Sequence, residues 1–303
     1  MTPSSEGSPP VRVAFQGARG AFSEEALVGY FGAGVEPLPC RDFAGVGAAV
    51  LGGEAAFGVL PVENTLAGSV QPAQDVLLEG ELEIVDEIVI PIRHMLLGIA
   101  GARVAELRRI ISHPVALAQC TRFLRSHPEL EAVAVYDTAG AAADVAAGGD
   151  PTLAAIAPGA AAERYGLRVL AEDLQDRADN QTRFYVVKPR GTPDDVARPD
   201  LRQSRRSVLS VELEDRPGSL LALLAPFARA GVNLTRIESR PAATPWRYRF
   251  LIELASPSGG SSLDQALAEA ARTVPVLLHL GSFTPATRHP VDLPGLLEPP
   301  EGC

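Results

Sequence analysis

From Val11 to Lys188 short apolar runs alternate with stretches whose apolar residues recur at helical spacing. Residues 11–16, 35–39 and 57–61 read as strands, and 23–31 and 42–51 as the amphipathic helices between them. That alternation is the mark of an α/β fold. Two longer apolar segments, 82–92 and 93–99, predict strands that carry the chain into a second lobe. There 109–112, 133–136 and 153–156 would be strands and 116–125 and 139–147 helices, after which 167–171 and 183–187 return to the first lobe. Two lobes joined by crossing strands leave a cleft, and small ligands bind in such clefts.

The alternation stops at 189–205, where Gly, Pro, Asp and Arg dominate and predict a linker. Beyond it, 207–213, 219–230, 234–239, 248–254, 262–272 and 274–282 follow in the order βαββαβ, a ferredoxin-like unit. The expected division is therefore a two-lobed domain over 9–188 (first lobe 9–90 and 167–188, second lobe 91–166), the linker, a unit over 206–284, and a Pro-rich disordered tail over 285–303.

Length and composition support at least two cores, with 303 residues of which 46% are hydrophobic. The net charge of −10 comes from interspersed acids and bases, which excludes an electrostatic footprint for nucleic acid or an anionic membrane. A small-molecule or protein partner is the expectation. The cysteines Cys40, Cys120 and Cys303 are too far apart for a zinc site and read as free thiols in a reducing cytoplasm. The first residues lack the basic and apolar regions of a signal peptide, and no stretch reaches the roughly 20 apolar residues of a membrane span.

Several loops bring polar groups to the ends of strands. Thr182-Arg183-Phe184 closes a polar loop and opens the apolar run Phe184-Tyr185-Val186-Val187. A hydroxyl that donates and accepts beside a guanidinium that grips carboxylates in a fork suits a small anion. In Leu60-Pro61-Val62-Glu63-Asn64-Thr65-Leu66-Ala67-Gly68-Ser69-Val70 an acid, an amide and two hydroxyls precede a helical run, a place for a carboxylate or simply an N-cap. Ser112-His113-Pro114 leads into a helix carrying Gln119, and His113 reads equally as a pocket donor or a cap. Asp137-Thr138 stands before another helix, where Thr138 faces a ligand or caps. Gln16-Gly17-Ala18-Arg19-Gly20 lies between a strand and a helix but is not G-x-G-x-x-G, which excludes a dinucleotide fingerprint.

These motifs, in this order, resemble the prephenate dehydratase family. Thr182-Arg183-Phe184 matches its Thr-Arg-Phe motif, Pro61-Val62-Glu63-Asn64-Thr65 and His113-Pro114-Val115-Ala116-Leu117-Ala118-Gln119-Cys120 match two further segments, and Ala21-Phe22-Ser23 departs from its Thr-Phe-Ser by one hydroxyl. Downstream, Arg216-Pro217-Gly218-Ser219-Leu220, Gly231-Val232-Asn233-Leu234 and Glu238-Ser239-Arg240-Pro241 are similar to the ACT regulatory domain that follows the catalytic domain in that family. The resemblance implies a catalytic domain like the periplasmic binding proteins, and conversion of prephenate to phenylpyruvate, carbon dioxide and water without a cofactor or metal. It implies catalytic roles for Thr182, Glu63, Asn64 and Gln119. Substrate contacts would come from Arg183, Phe184, Thr65, Ser69, Ser112, His113, Thr138, Phe22 and Ser23. A phenylalanine effector site would be formed by Gly218, Ser219, Leu220, Asn233, Leu234, Glu238, Ser239 and Arg240, in a homodimer or homotetramer. The absence of a long helical segment before Val11 implies that no chorismate mutase is fused. Arogenate dehydratase, with the same chemistry on an amino-bearing substrate, and a non-catalytic amino-acid sensor are the alternatives.

Overall fold

The computed structural model describes residues 10–193, 205–242, 244, 247–256 and 261–286. Most of the expected linker and nearly all of the expected tail lie outside those residues. Strand β1 (Arg12–Gln16) is buried at three consecutive apolar positions, Val13, Ala14 and Phe15. A strand covered on both faces needs no alternation, and β1 runs between β2 (Glu36–Cys40) and β3 (Phe57–Asn64), parallel to both. Helices α1 (Phe22–Phe31) and α2 (Phe43–Leu51) make the crossovers. Helix α2 begins where Asp42 accepts a hydrogen bond from Gly45 N–H at 2.8 Å, a cap that contributes about 1 kcal/mol. The short strand β4 (Gly68–Ser69) folds back on the end of β3, helix α3 (Gln71–Leu78) follows, and β5 (Leu82–Pro91) leads away.

The second lobe is a five-stranded sheet in the order β10-β6-β9-β7-β8. Its strands are β6 (Met95–Gly98), β7 (Arg109–Ser112), β8 (Glu131–Ala134), β9 (Leu153–Ala157) and β10 (Arg168–Ala171). Pairing of β10 with β6 corrects the expectation that 167–171 returns to the first lobe; an apolar run identifies a strand but not its sheet. The return comes one strand later, when β11 (Gln181–Pro189) inserts antiparallel between β3 and β5. The single helix expected at 116–125 is two, α4 (Pro114–Gln119) and α5 (Thr121–Ser126), with Cys120 out of helical geometry between them. Asp176 accepts from the N–H groups of Thr121 and Arg122 and so gives α5 its own start. Helices α6 (Thr138–Gly148) and α7 (Gly159–Tyr165) complete the lobe; the Ala-rich α7 is too short to show periodicity. The lobes meet where Gly20, at φ +85°, lies so near α7 that a Cβ would stand 2.9 Å from Ala161 Cα.

The C-terminal unit has the expected order: β12 (Arg205–Glu212), α8 (Ser219–Arg229), β13 (Asn233–Pro241), β14 (Tyr248–Ser256), α9 (Ser261–Ala270) and β15 (Val276–Phe283). Its sheet runs β13-β14-β12-β15, antiparallel throughout. The two helices cover one face around Leu209, Leu223, Phe227 and Ile252. The opposite face, through Val208, Leu251, Leu280 and Phe283, packs into one core with Leu60, Val62, Leu77 and Tyr185 of the first lobe. Strand β15 also joins β5 through the single parallel pair Gly281 with Ile84, so the two sheets form one of ten strands. Only glycine fits there, since a Cβ on Gly281 would lie 2.0 Å from the Ile84 carbonyl oxygen.

Candidate active site

Successive residues of a strand point to opposite faces, so Thr182 and Arg183 diverge at the start of β11. Thr182 pairs in register with Asn64 at the end of β3. The turn after β3 fixes Asn64: its Oδ1 accepts from the N–H groups of Leu66 at 2.9 Å and Ala67 at 2.8 Å. Its amide nitrogen faces Asn180 Oδ1 at 2.8 Å, Gln181 O at 3.0 Å and Thr182 Oγ1 at 3.0 Å, two hydrogens shared among three acceptors. Gln119, the last residue of α4, reaches across from the second lobe and donates to Asn64 Oδ1 at 3.2 Å. The Gln119 oxygen in turn accepts from Asn180 Nδ2 at 2.9 Å and lies 2.9 Å from His94 Nε2.

These five residues are at least nine-tenths buried, with exposures of 8% for Asn64 and Thr182, 7% for Gln119, 2% for His94 and 1% for Asn180. Burial at that level makes an unsatisfied polar group costly, and every polar side-chain atom of the five except His94 Nδ1 has a partner among the described residues. The cluster carries no carboxylate or guanidinium. Burial lowers the pKa of His94, against a smaller opposing effect of its bond to Gln119. Because Thr182 Oγ1 accepts from Asn64, its own hydrogen remains to be donated elsewhere.

Of the residues singled out in the sequence, Thr182, Asn64 and Gln119 thus come together, and Phe22 borders them with its ring edge-on to His94 at 5.5 Å. Ser23 is buried near the start of α1, a helix with no side-chain cap. Thr65 is a clasp: its Oγ1 donates to Asp179 O and accepts from Gln181 N–H, both at 3.0 Å. Ser112 is buried and donates to Ile156 O. His113 caps α4 through Nδ1, which accepts from Val115 N–H at 3.2 Å. Thr138 is the first residue of α6, behind Asp137, whose carboxylate caps Gly140 N–H and also takes Ala18 N–H from the first lobe. Phe184 is 1% exposed in the core beneath α1 and does not wall a cleft.

Arg183 belongs to the other face. Its guanidinium bonds both oxygens of Glu253, on β14 of the C-terminal unit, at 2.8 Å each, and Glu63 at 2.6 Å. Glu253 is 1% exposed and also accepts from the Tyr185 hydroxyl and from Arg236. Burial alone would raise its pKa, but Arg183, Tyr185 and Arg236 together outweigh that and hold the carboxyl below its ordinary value. Neighbouring Glu87, with Arg206 and Arg183 nearby, is raised because its burial outweighs them. Glu63 and Ser69 join this side: Ser69 bonds Glu238 and accepts from Arg236 at 3.1 Å. Arg240 grips Asp75 of α3. Glu238 and Arg240 are thereby bonded to the first lobe, while Gly218, at φ +86°, is the residue before α8, Ser219 and Leu220 open that helix, and Asn233, Leu234 and Ser239 lie in the ladder with β14.

His94, Asn180, Glu253 and Arg236 were not picked out in the sequence. A histidine inside the apolar stretch Ile92-Arg93-His94-Met95-Leu96 was the available signal for the first. Among the described residues no group of acids, histidines and cysteines could hold a metal ion, and no helix is long and apolar enough to cross a membrane.

A two-lobed α/β domain with a buried polar cluster between its lobes, joined to a ferredoxin-like unit, defines an enzyme domain carrying a regulatory module. The chain belongs to the prephenate dehydratase family: that family's model matches residues 13–192, and the ACT domain model matches 207–272. It is 36% identical over 293 residues to an arogenate dehydratase/prephenate dehydratase of Arabidopsis thaliana, covering 93% of this chain and 75% of the relative. The solved prephenate dehydratase of Arthrobacter aurescens, in complex with L-Phe, superposes with a TM-score of 0.82 at 34% identity, covering 92% of this chain and 93% of that one. A solved protein described as a quorum quenching acylase, GqqA, superposes with a TM-score of 0.81 at 35% identity, covering 91% and 98%.

Proposed function

We propose that the chain converts prephenate to phenylpyruvate in phenylalanine synthesis, in the cytoplasm, with Thr182 as the donor to the departing hydroxyl. In this reaction the bond to the ring carboxylate breaks, its electron pair enters the ring, and the C4 hydroxyl leaves as water with one added proton. The observation that carries the reading is the Thr182 hydroxyl, pinned as acceptor by Asn64 and left with a hydrogen to give. A threonine is too weak an acid to be a proton reservoir, so its contribution is a hydrogen bond that strengthens as negative charge develops on the leaving oxygen. The uncharged surroundings of Asn64, Gln119 and Asn180 favour the step in which a carboxylate loses its charge as carbon dioxide. The start of α1 has no side-chain cap, and in this reading Ser23 and Phe22 meet the substrate there, with Glu24 of the same turn held by Arg19 and Gly20 N–H.

Arg183, which bonds both Glu63 and Glu253, acts with Glu63 in this reading as the brace of the regulatory unit. Phenylalanine would bind by Gly218, Ser219 and Leu220, where the buried Ser219 hydroxyl has no partner among the described residues, together with Asn233, Leu234 and the segment Glu238, Ser239, Arg240. Two such units side by side make a homodimer, and two such dimers a homotetramer. Regulation follows if phenylalanine binds two arrangements of the units unequally. Arogenate is the second substrate reading, favoured by the likeness to the Arabidopsis protein.

The test is phenylpyruvate formation from prephenate by purified protein, with arogenate in parallel, phenylalanine added or omitted, and Thr182→Ala alongside. Turnover of prephenate above arogenate that collapses in the variant supports the reading. Folded wild-type protein that turns over only arogenate, or neither, sinks it.

A further inference from the structure

We infer that His94 is a positioning residue for the Thr182 hydroxyl, held in the Nε2–H form by a chain of hydrogen bonds whose directions are set by the backbone. Asn64 is the starting point. The N–H groups of Leu66 and Ala67 can only donate, so the atom they reach is the amide oxygen. The Gln181 carbonyl can only accept, so the atom facing it is the amide nitrogen, an independent fix of the same orientation. Each partner then follows. Asn180 must turn its oxygen to Asn64 and hence its nitrogen to Gln119. Gln119 must show Asn180 an oxygen and Asn64 a nitrogen, which closes the circuit without conflict. His94 Nε2 lies 2.9 Å from that Gln119 oxygen, and a nitrogen facing an oxygen that only accepts must carry the hydrogen.

The other ring nitrogen agrees. Nδ1 is buried with no partner among the described residues, a place for a bare lone pair and not for a second N–H. The lowered pKa of the ring, caused first by its burial, fits the neutral form. Without the Nε2–H donor, Gln119 has less to prevent its amide from turning over. A turned amide would set oxygen against the Asn64 oxygen and loosen the hold of Asn64 on Thr182. His94 therefore works through Gln119 and Asn64 and does not need to touch the substrate.

Only the kinetic part of the test rests on the dehydratase reading. Ring nitrogens of the wild-type chain are observed by proton–nitrogen correlation NMR, with His94→Gln assigning the signal. The expected result is a protonated Nε2 and a bare Nδ1 at neutral pH; an Nδ1–H or doubly protonated ring overturns the inference whatever the activity. Steady-state kinetics then compare His94→Leu with His94→Gln, whose amide nitrogen can stand where Nε2 stood. The expected kcat falls about 100-fold in the leucine variant with KM within about threefold, and the glutamine variant recovers to within about tenfold of wild type. Equal losses in two variants of equal melting temperature, or a change in KM alone, overturn it. If wild type ignores prephenate while the ring shows Nε2–H, the dehydratase reading falls and the tautomer assignment stands.

Discussion

Thr182 and Arg183 are adjacent in the chain, yet the two sides of β11 are built from different chemistry. Toward the second lobe, amides and a hydroxyl satisfy one another with no formal charge. Toward the C-terminal unit, Arg183, Arg206 and Arg236 share Glu63, Glu87, Glu238 and Glu253. Uncharged groups hold a donor in place without fixing the charge of what it meets. A buried ion cluster is intolerant, because removing any one member strands the others. The first arrangement suits a reacting centre, and the second suits a joint that must be either made or broken.

That contrast can be broken from either side. Glu253→Leu, which leaves Arg183, Arg236 and the Tyr185 hydroxyl facing an apolar side chain, should cost about 3–5 kcal/mol in urea unfolding and remove any response to phenylalanine. Thr182→Val keeps the shape and deletes the donor; kcat should fall about 100- to 1,000-fold, while the urea midpoint moves little. Arg183→Lys retains a charge but loses the fork that meets Glu253 and Glu63. It should cost about 1–2 kcal/mol of stability with KM for prephenate within about threefold of wild type. A KM raised a hundredfold would instead return Arg183 to the substrate.

The smallest effect sharpens the contrast on the Thr182 side. Glu25 of α1 has its pKa raised to about 7, chiefly by burial, with Arg93 opposing. A carboxyl raised in the folded state is at no disadvantage below its unfolded value near 4.5; stability is then lost as pH rises toward 7 and stays lost above it. Glu25→Gln should therefore stabilise the protein by about 1–2 kcal/mol at pH 8, discounted for its partial exposure, and by almost nothing at pH 4.5. Thermal melts at the two pH values measure the difference.

The architecture was legible because its signals are local. Alternating apolar runs located the strands of both lobes, and the βαββαβ order of the C-terminal unit needed only strand and helix lengths. The candidate site was legible as residues but not as sides. Thr182-Arg183-Phe184 reads as one motif, whereas the two-residue period of a strand sends its middle member to the other face: the hydroxyl at the cluster and the ring in the core stay on one side, and the guanidinium goes to the joint. Glu63 and Ser69 were grouped with Asn64 by proximity in sequence and separated from it by the same geometry. Glu253 gave no local sign, since a carboxylate in an apolar strand shows its purpose only when the arginine that meets it, 70 positions away, is known.

Between β15 and β5 the sheet is continuous through one residue pair. A ladder of many rungs holds two sheets together by backbone alone, but a ladder of one rung does not. The backbone thus contributes a single contact to this junction, and the rest of its hold comes from side chains, through the core shared by Tyr185 and Phe283 and the ions around Glu253. A methyl group at 281 would strike the Ile84 carbonyl, so the closeness of the two sheets is owed to an atom the chain lacks there.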